Sequence, residues 1–191
     1  MMDFLIALDR QIFLALNALH APWLDQVMYW ISDTSIWLPL YAFLVYRIFV
    51  ILPRKQAVVA VLCIAAAVTL SDQLSSKVIR PRVERPRPTW NEEISAQVHT
   101  VNDYRGGHYG FPSSHAANTF CAAVLIILLL RKPWTRLMIV WALIVSYSRI
   151  YLGVHYPSDI AVGAALGSLC AGGSYVAFRK ITANLKLTID N

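Results

Sequence analysis

Five long apolar runs are the feature of this sequence that most restricts its fold. They cover residues 35–52, 56–74, 114–130, 137–153 and 158–178. Each approaches the roughly 20 residues that a helix needs to cross a bilayer. The 191-residue chain is 57% hydrophobic and only 15% charged, so it is more apolar than a typical soluble domain of this size. We therefore expect an all-α, polytopic transmembrane helical bundle of five to six membrane helices, formed by one integral-membrane domain over residues 1–191.

The N-terminal region, residues 1–34, is interrupted by charges more often than the five runs. Its two shorter apolar segments, 3–19 and 22–33, contain Asp9, Arg10, Asp25 and Asp33. Apolar segments with a charged face commonly lie in the membrane interface. The sequence therefore predicts interfacial or half-buried N-terminal helices, with a sixth span as the alternative. The oligomeric state stays open.

The connection over residues 75–113 is long and basic. It contains Lys77, Arg80, Arg82, Arg85, Arg87 and Arg105, together with Pro81, Pro86 and Pro88. Proline disfavours the interior of a regular helix, and long loops without secondary structure are usually functional or disordered. We predict that residues 75–113 form a loop that carries part of a functional site.

Charges in the short loops predict the orientation of the bundle. Basic groups follow the first, third and fifth runs: Arg54 and Lys55, then Arg131, Lys132 and Arg136, then Arg179, Lys180 and Lys186. With five spans these groups share one side of the membrane, which the positive-inside rule makes cytoplasmic. We expect an integral protein of the bacterial inner (cytoplasmic) membrane, whose long loop and the turn near His155 face the periplasm or exterior.

The last run carries a stripe of small residues. Gly163 and Gly167 lie four residues apart, and Ala171 continues the same face. Small residues let two membrane helices approach closely. Packing within the chain is the favoured interpretation, and a homodimer face is the alternative.

Ionisable residues interrupt the apolar pattern near residues 148–159. Arg149, His155 and Asp159 lie there, and charged groups at membrane depth usually mark a functional site. His155 and Asp159 are four residues apart, so on a helix they share a face and Asp159 can orient the imidazole. The other ring nitrogen is then free to act as a nucleophile. The alternatives are a structural histidine, a simple helix cap formed by Ser158 or Asp159, and an Arg149 side chain that extends to the membrane interface.

A second polar segment, Pro112 to His115, opens the third run. Serine hydroxyls and free backbone N–H groups at a helix N-terminus favour an anion, although Ser113 or Ser114 can also simply cap the helix. His115 is a candidate general acid because the pKa of histidine lies near working pH. The sequence therefore predicts an anion site at this helix end.

Taken in order, the three polar segments resemble the signature of the type 2 phosphatidic acid phosphatase family, K-x6-R-P, P-S-G-H and S-R-x5-H-x3-D. Ser148, Arg149, His155 and Asp159 match every fixed position of the third motif, and Ser114 replaces the glycine of the second. For the first motif, Arg80 with Arg87-Pro88 keeps the spacing, whereas Lys77 with Arg85-Pro86 keeps the lysine but adds one residue. We prefer Arg80 and Arg87, and keep Lys77 as the reserve. The resemblance covers about residues 72–178.

This resemblance implies a membrane phosphatase that acts on a lipid phosphate or diphosphate without a metal or other cofactor. It implies that His155 forms a phosphohistidine, that Asp159 fixes its tautomer and that His115 protonates the leaving oxygen. The implied phosphate-binding residues are Arg80, Arg87, Arg149, Ser113 and Ser114, with Lys77 and Ser148 as additional candidates. Arg82 and Arg85 are expected to form a solvated basic face, and contact with a second phosphate is the alternative.

Several functions remain open at this stage. The candidate substrates are undecaprenyl diphosphate, lipid A phosphate, phosphatidylglycerophosphate and phosphatidic acid. A vanadium-dependent haloperoxidase has a similar pocket, but such enzymes are typically soluble and larger. A non-catalytic lipid-phosphate binder or transporter is the alternative from another class. The net charge of +6 is not accompanied by a basic-aromatic nucleic-acid motif, so we expect the membrane and a lipid phosphate as partners and no nucleic acid.

Overall fold

The computed structural model describes residues 2–185, and within this range helices account for all regular secondary structure. The helices are α1 Met2–Asn17, α2 Pro22–Ser32, α3 Leu38–Ile51, α4 Arg54–Gln73, α5 Arg80–Val83, α6 Ser114–Leu130, α7 Leu137–Tyr151 and α8 Pro157–Asn184. Short 3-10 turns cover Thr34–Trp37, Pro88–Trp90, Ser95–Gln97 and Pro133–Arg136. The five predicted runs therefore correspond to α3, α4, α6, α7 and α8, and Lys186 lies outside the described residues.

The prediction that a loop begins at residue 75 is wrong. A π-helical segment, Leu74–Ile79, joins α4 to α5, so one continuous apolar helix runs from Arg54 to Val83. Pro81 occupies a first-turn position of α5, where a missing backbone N–H costs little. Glu84 then adopts a left-handed conformation and ends the helix. The connection between the second and third runs therefore covers residues 84–113.

Three helical segments within the described residues are long and apolar enough to cross a membrane unaided: Thr34–Ile51, Arg54–Val83 and Pro157–Asn184. Helix α6 is also apolar but spans only Ser114–Leu130. The two N-terminal helices pass the same length and composition test only as a pair, and they are bent by 116° at their junction. The bend gives this region the geometry of a broken span or a re-entrant segment.

Close packing between α6 and α8 forms the centre of the bundle, and the small-residue stripe explains it. A Cβ atom added at Gly163 would lie 2.5 Å from the carbonyl oxygen of Ser113, and one at Gly167 would lie 2.0 Å from that of Ala117. Ala171 is fully buried. The prediction that this stripe packs within the chain is therefore confirmed.

The N-terminal helices are fastened to the C-terminal end of α7, the end that carries Arg149. The Asn17 side chain donates hydrogen bonds to the carbonyl oxygens of Ile150 and Tyr151, at 3.1 and 2.9 Å. Asp25 on α2 accepts a hydrogen bond from the Tyr151 hydroxyl at 2.6 Å. These contacts hold α1 and α2 against the loop that leads into α8.

Candidate active site

The candidate site is built where four helix ends meet. Helix α5 ends there, α6 begins there, α7 ends there and α8 begins there, and the connection over residues 84–113 covers the same end of the bundle. Helices that begin at a site direct their unpaired first-turn N–H groups and positive dipole ends toward it. The topology therefore brings the three sequence motifs to one end of the bundle.

His155 lies in the short loop between α7 and α8, and its side chain is 1% exposed. Its Nδ1 is 3.3 Å from Asp159 Oδ2, and its Nε2 is 3.1 Å from Arg87 Nη1. Because a guanidinium only donates hydrogen bonds, Nε2 must be the acceptor. The proton of the neutral ring is therefore on Nδ1, directed at Asp159, and Nε2 carries the lone pair that accepts from Arg87.

The electrostatic surroundings of His155 keep the ring neutral. Burial lowers the pKa of His155 well below its ordinary value of 6.5, and the nearby guanidinium groups of Arg87 and Arg149 lower it further. A buried imidazolium among cations would be unstable, so the unprotonated form is available well into the acidic range.

Asp159 is fixed by more than the histidine. Its Oδ2 accepts a hydrogen bond from the Tyr156 backbone N–H at 3.0 Å, which forms a capping box at the start of α8. Its Oδ1 accepts from Arg85 Nη1 at 2.7 Å. The cap and the orienting contact considered as alternatives in the sequence are therefore made by the same side chain.

Arg85 connects the site to the N-terminal helix. While Nη1 binds Asp159, Nη2 binds Asp9 Oδ2 on α1 at 2.7 Å. Asp9 Oδ1 in turn accepts from the Ser158 backbone N–H at 3.0 Å. The prediction that Arg85 belongs to a solvated basic face is therefore wrong, because two carboxyl groups hold it at the site.

Arg87 is 7% exposed and is held by the covering loop. An isolated antiparallel bridge joins Pro86 to Tyr109, and Arg87 Nε donates to the Tyr109 carbonyl at 3.2 Å. Burial, followed by the charges of Arg149 and Arg80, lowers the pKa of Arg87 to about 10. This shift indicates crowded cations that an anion such as phosphate would stabilise.

Gly110 allows the loop to approach this closely. A Cβ atom there would lie 3.0 Å from Arg87 Cγ and 3.4 Å from His155 Nδ1. The backbone at Gly110 therefore packs directly against the site.

Arg80 and the serines form the second side of the site. Arg80 Nη2 donates to Ser114 Oγ at 2.6 Å and to the Pro112 carbonyl at 3.2 Å. Ser113 is fully buried and caps α6, since its Oγ accepts from the Ala116 N–H at 3.4 Å. The Ser113 backbone N–H donates to the Asp159 carbonyl at 3.0 Å, which ties the start of α6 to the start of α8.

Arg149 and His115 form the third side. Arg149 is 3% exposed and donates to Ser32 Oγ and to the Tyr104 hydroxyl, the latter at 3.1 Å. Its Nε is buried without a hydrogen-bond partner. The His115 imidazole lies beside the Ser32 backbone and lines a cavity within the bundle. Helix α2 therefore closes this side of the site through Ser32.

Two sequence candidates lie apart from this cluster. Lys77 is exposed and has no ion pair within residues 2–185, so the alternative pairing of Lys77 with Arg85 is not supported. Ser148 is fully buried but donates to the Val145 carbonyl of its own helix at 2.7 Å. Sequence reasoning missed Asp9, Ser32 and Tyr104, because no local spacing relates them to the motifs.

This arrangement has the donors and the free imidazole that phosphoryl transfer requires, and comparison with known proteins agrees with it. The chain belongs to the PAP2 superfamily, whose family model matches residues 36–183. It is therefore an integral-membrane hydrolase of phosphate esters, as the resemblance of its three motifs implied.

Individual relatives cover most of the chain. A lipid A 4'-phosphatase of Bacteroides thetaiotaomicron is 40% identical over 97% of this chain and 84% of the relative. A phosphatidylglycerophosphatase B of Bacillus subtilis is 29% identical over 84% of this chain and 78% of the relative.

Two solved structures share the fold. The crystal structure of a transmembrane PAP2-type phosphatidylglycerolphosphate phosphatase from Bacillus subtilis gives a TM-score of 0.66 at 24% identity, covering 98% of this chain and 89% of that one. The crystal structure of Aquifex aeolicus LpxE gives a TM-score of 0.60 at 25% identity, covering 87% and 94%. The prediction of an all-α membrane bundle is confirmed.

Proposed function

We propose that this protein removes a phosphate group from an acylated amino-sugar lipid of the lipid A type, without a metal ion, through a phosphohistidine at His155. The substrate assignment is supported by the relative named lipid A 4'-phosphatase, which is 40% identical over nearly the whole chain. The chemistry is supported by one observation above all. Asp159 and Arg87 contact opposite nitrogens of the His155 ring, so the lone pair is on Nε2.

In the first step His155 Nε2 attacks phosphorus, and the bond from phosphorus to the sugar oxygen breaks. The leaving oxygen takes a proton from His115, and the Nδ1 proton of His155 stays hydrogen-bonded to Asp159. In the second step water attacks the phosphohistidine, His115 accepts a proton from that water, and inorganic phosphate leaves. Nucleophilic catalysis of this kind divides one difficult displacement into two easier ones.

Arg80, Arg87 and Arg149 supply the charge that stabilises the transferring group. Arg87 exchanges its hydrogen bond to His155 Nε2 for one to a phosphoryl oxygen when substrate binds. The first-turn N–H groups of α6 add donors, and Ser113 and Ser114 hold that helix end in place. Preorganised donors at developing negative charge typically contribute about 3–4 kcal/mol each to the transition state.

Arg85 and Asp9 act as positioning residues. Arg85 bridges the two carboxyl groups, and Asp9 also holds the Ser158 backbone at the start of α8. Through these contacts the N-terminal helix fixes the rotamer of Asp159 and hence the ring of His155. Hydrogen bonds to the residue that orients a reactive group commonly decide how precisely that group is held.

We further propose that the protein lies in the bacterial inner membrane with its site facing the periplasm or exterior. The site end of the bundle is opposite to the helix ends that carry Arg54, Arg131 and Arg179. Basic residues near membrane helices favour the cytoplasmic side. Because Arg80 and Arg87 bind phosphate in this proposal, they do not count as orientation signals.

Phosphate release in detergent tests the proposal. Wild type and His155→Ala are compared in excess EDTA on lipid A phosphate, phosphatidic acid, phosphatidylglycerophosphate and undecaprenyl diphosphate. We expect wild type alone to release phosphate, fastest from lipid A. Activity lost in EDTA and restored by magnesium would contradict the metal-independent reaction, and release by His155→Ala would contradict the nucleophile. A monodisperse wild type that binds these lipids but hydrolyses none would indicate a non-catalytic lipid-phosphate binder or transporter instead.

A further inference from the structure

A large cavity lies inside the bundle below the phosphate site, and the mechanism above does not use it. Helices α3, α4, α6 and α7 line a half-open cavity of about 690 Å³. His115 and Ser114 lie at one end, next to the arginine cluster. Most of the wall is apolar, including Tyr41, Leu44, Ile48, Ile64, Val68 and Ile126. Because His115 is the proposed proton donor to the leaving oxygen, the cavity beside it is suited to hold the part of the lipid that is attached to the phosphate.

One part of the wall is polar. Asp72 on α4 and Asn118 on α6 both line the cavity, and Asn118 Nδ2 donates to Asp72 Oδ1 at 3.0 Å. Asp72 Oδ2 has a long contact of 3.5 Å with Ser76 Oγ, and Asp72 forms no salt bridge within residues 2–185. The charge of Arg80 stabilises this carboxyl group from outside salt-bridge distance. Ionisable groups in membrane helices are costly and usually functional.

Two further polar atoms belong to residues of this wall, are themselves buried behind it, and lack partners. Asn118 Oδ1 is a buried acceptor and Trp141 Nε1 a buried donor, and neither has a hydrogen bond among the described residues. The Trp141 ring instead meets the rings of Trp37 and Tyr41 edge to face, with centroids 5.7 and 6.2 Å away. Buried polar groups are normally hydrogen-bonded. A plain hydrocarbon chain in the cavity would leave both atoms unsatisfied.

We propose that Asp72, Asn118 and Trp141 form a specificity site that recognises hydrogen-bonding groups on the lipid next to its phosphate. Asp72 accepts hydrogen bonds from hydroxyl or amide N–H groups of an acylated amino sugar. Rotation of the Asn118 and Trp141 side chains when the lipid binds lets Asn118 Oδ1 accept from such a group and Trp141 Nε1 donate to an acyl carbonyl. A polyprenyl chain offers none of these groups. This inference rests on the proposed phosphatase function and adds the residues that select the substrate.

The test compares two substrates in each of four full-length proteins. Wild type, Asn118→Leu, Asp72→Asn and Trp141→Phe are assayed for kcat/KM on a lipid A phosphate and on undecaprenyl diphosphate in the same detergent. Because Asp72 also interacts electrostatically with Arg80, the readout is the ratio of the two values. We expect wild type to favour lipid A, and each variant to lower the ratio about tenfold, the cost of one lost hydrogen bond to a polar substrate group.

Ser168→Ala is the matched control, because Ser168 also makes a hydrogen bond inside a membrane helix, to the Ala164 carbonyl at 2.8 Å, but does not line the cavity. Its ratio should equal that of wild type, and melting temperatures in detergent check that the variants fold. Variants that fold and lower both activities equally, or neither, would overturn the specificity site while the phosphatase function stands. A wild type that hydrolyses neither lipid would overturn the proposed function itself.

Discussion

The two histidines of this site are held in very different ways. His155 is 1% exposed, and both of its ring nitrogens are engaged, by Asp159 and by Arg87. His115 is only partly buried, lies beside the Ser32 backbone and lines the cavity. A nucleophile must meet phosphorus along one direction, whereas a general acid must follow a leaving oxygen that differs between substrates. The difference teaches that the fold fixes the orientation of His155, whereas it leaves His115 accessible to the leaving group from the cavity.

The position of His155 depends on a left-handed backbone conformation two residues earlier, which few residue types adopt. Gly153 turns the chain out of α7 with a φ of 74°, and a Cβ there would lie 2.5 Å from Val98 Cγ1. Two residues later His155 enters the site, and Asp159 follows in the first turn of α8. The loop and the helix start therefore place both members of the pair at once.

Asp159→Asn should have the largest effect among the predictions that probe the rigid histidine. An amide can donate to His155 Nδ1, which would move the ring proton to Nε2 and remove the nucleophilic lone pair. We expect kcat to fall about 10⁴-fold, as when the orienting carboxylate of a histidine is replaced by an amide. Phosphate release measures the loss, with Asp103→Asn in the exposed loop as the control. Activity within tenfold of wild type would show that Asp159 does not set the tautomer.

Arg87→Met should have the next largest effect. The substitution removes the donor to His155 Nε2 and, in the proposed mechanism, one donor to the phosphoryl oxygens. We expect kcat/KM to fall about 10² to 10³-fold, the typical cost of losing one such donor. Arg82→Met is the matched control, because Arg82 is exposed and bonds only to the Val78 carbonyl within the described contacts. Equal losses in the two variants would mean that net charge, and not position, matters.

Asp9→Asn tests whether the N-terminal helix helps to fix the orientation of the His155 ring. The amide still accepts from Ser158 but binds Arg85 more weakly. We therefore expect kcat to fall about tenfold with KM nearly unchanged, at the lower end of the losses seen when a residue that orients a functional side chain is replaced. The control is Glu93→Gln, which removes the same charge from the exposed ion pair that joins Arg10 on α1 to Glu93 in the connection over residues 84–113. A change in KM alone would place Asp9 in substrate binding instead.

The smallest expected effect is a shift in pH dependence. Because burial and the neighbouring guanidinium groups lower the pKa of His155 below 6.5, the ring stays unprotonated as the pH falls through 6.5. The acid limb of kcat/KM, which reports the free enzyme, should therefore lie below pH 6.5. An acid limb at or above pH 6.5 would mean that the nucleophile is not held among cations as described.

Local spacing explains which parts of the site were predictable from sequence. The spacing of four residues predicted the contact between His155 and Asp159, although His155 lies just before α8 and Asp159 in its first turn, so the two do not share a helix face. The tight packing of Gly163 and Gly167 follows in the same way from the absence of side chains. The five apolar runs predicted the long helices because a bilayer accepts few other structures.

The missed residues are those whose roles depend on distant contacts. Arg85 looked like one cation in a basic loop, and only the fold places it between Asp9 and Asp159, which are 76 and 74 positions away. Pro81 was read as a helix breaker, but after the π-helical segment it begins a new first turn, where its missing N–H is harmless. Neither the contacts of Arg85 nor the helical position of Pro81 can be predicted from the neighbouring residues in the sequence.

Direct detection of the covalent intermediate tests the central claim most sharply. Wild-type protein is mixed with lipid A carrying a radiolabelled phosphate and quenched within one turnover in alkali, and the label is then mapped to a peptide. We predict label on the peptide containing His155, stable in alkali and released by acid, with none in the His155→Ala variant. Label on another residue, or rapid phosphate release without any labelled protein in a quench that precedes turnover, would contradict nucleophilic attack by His155.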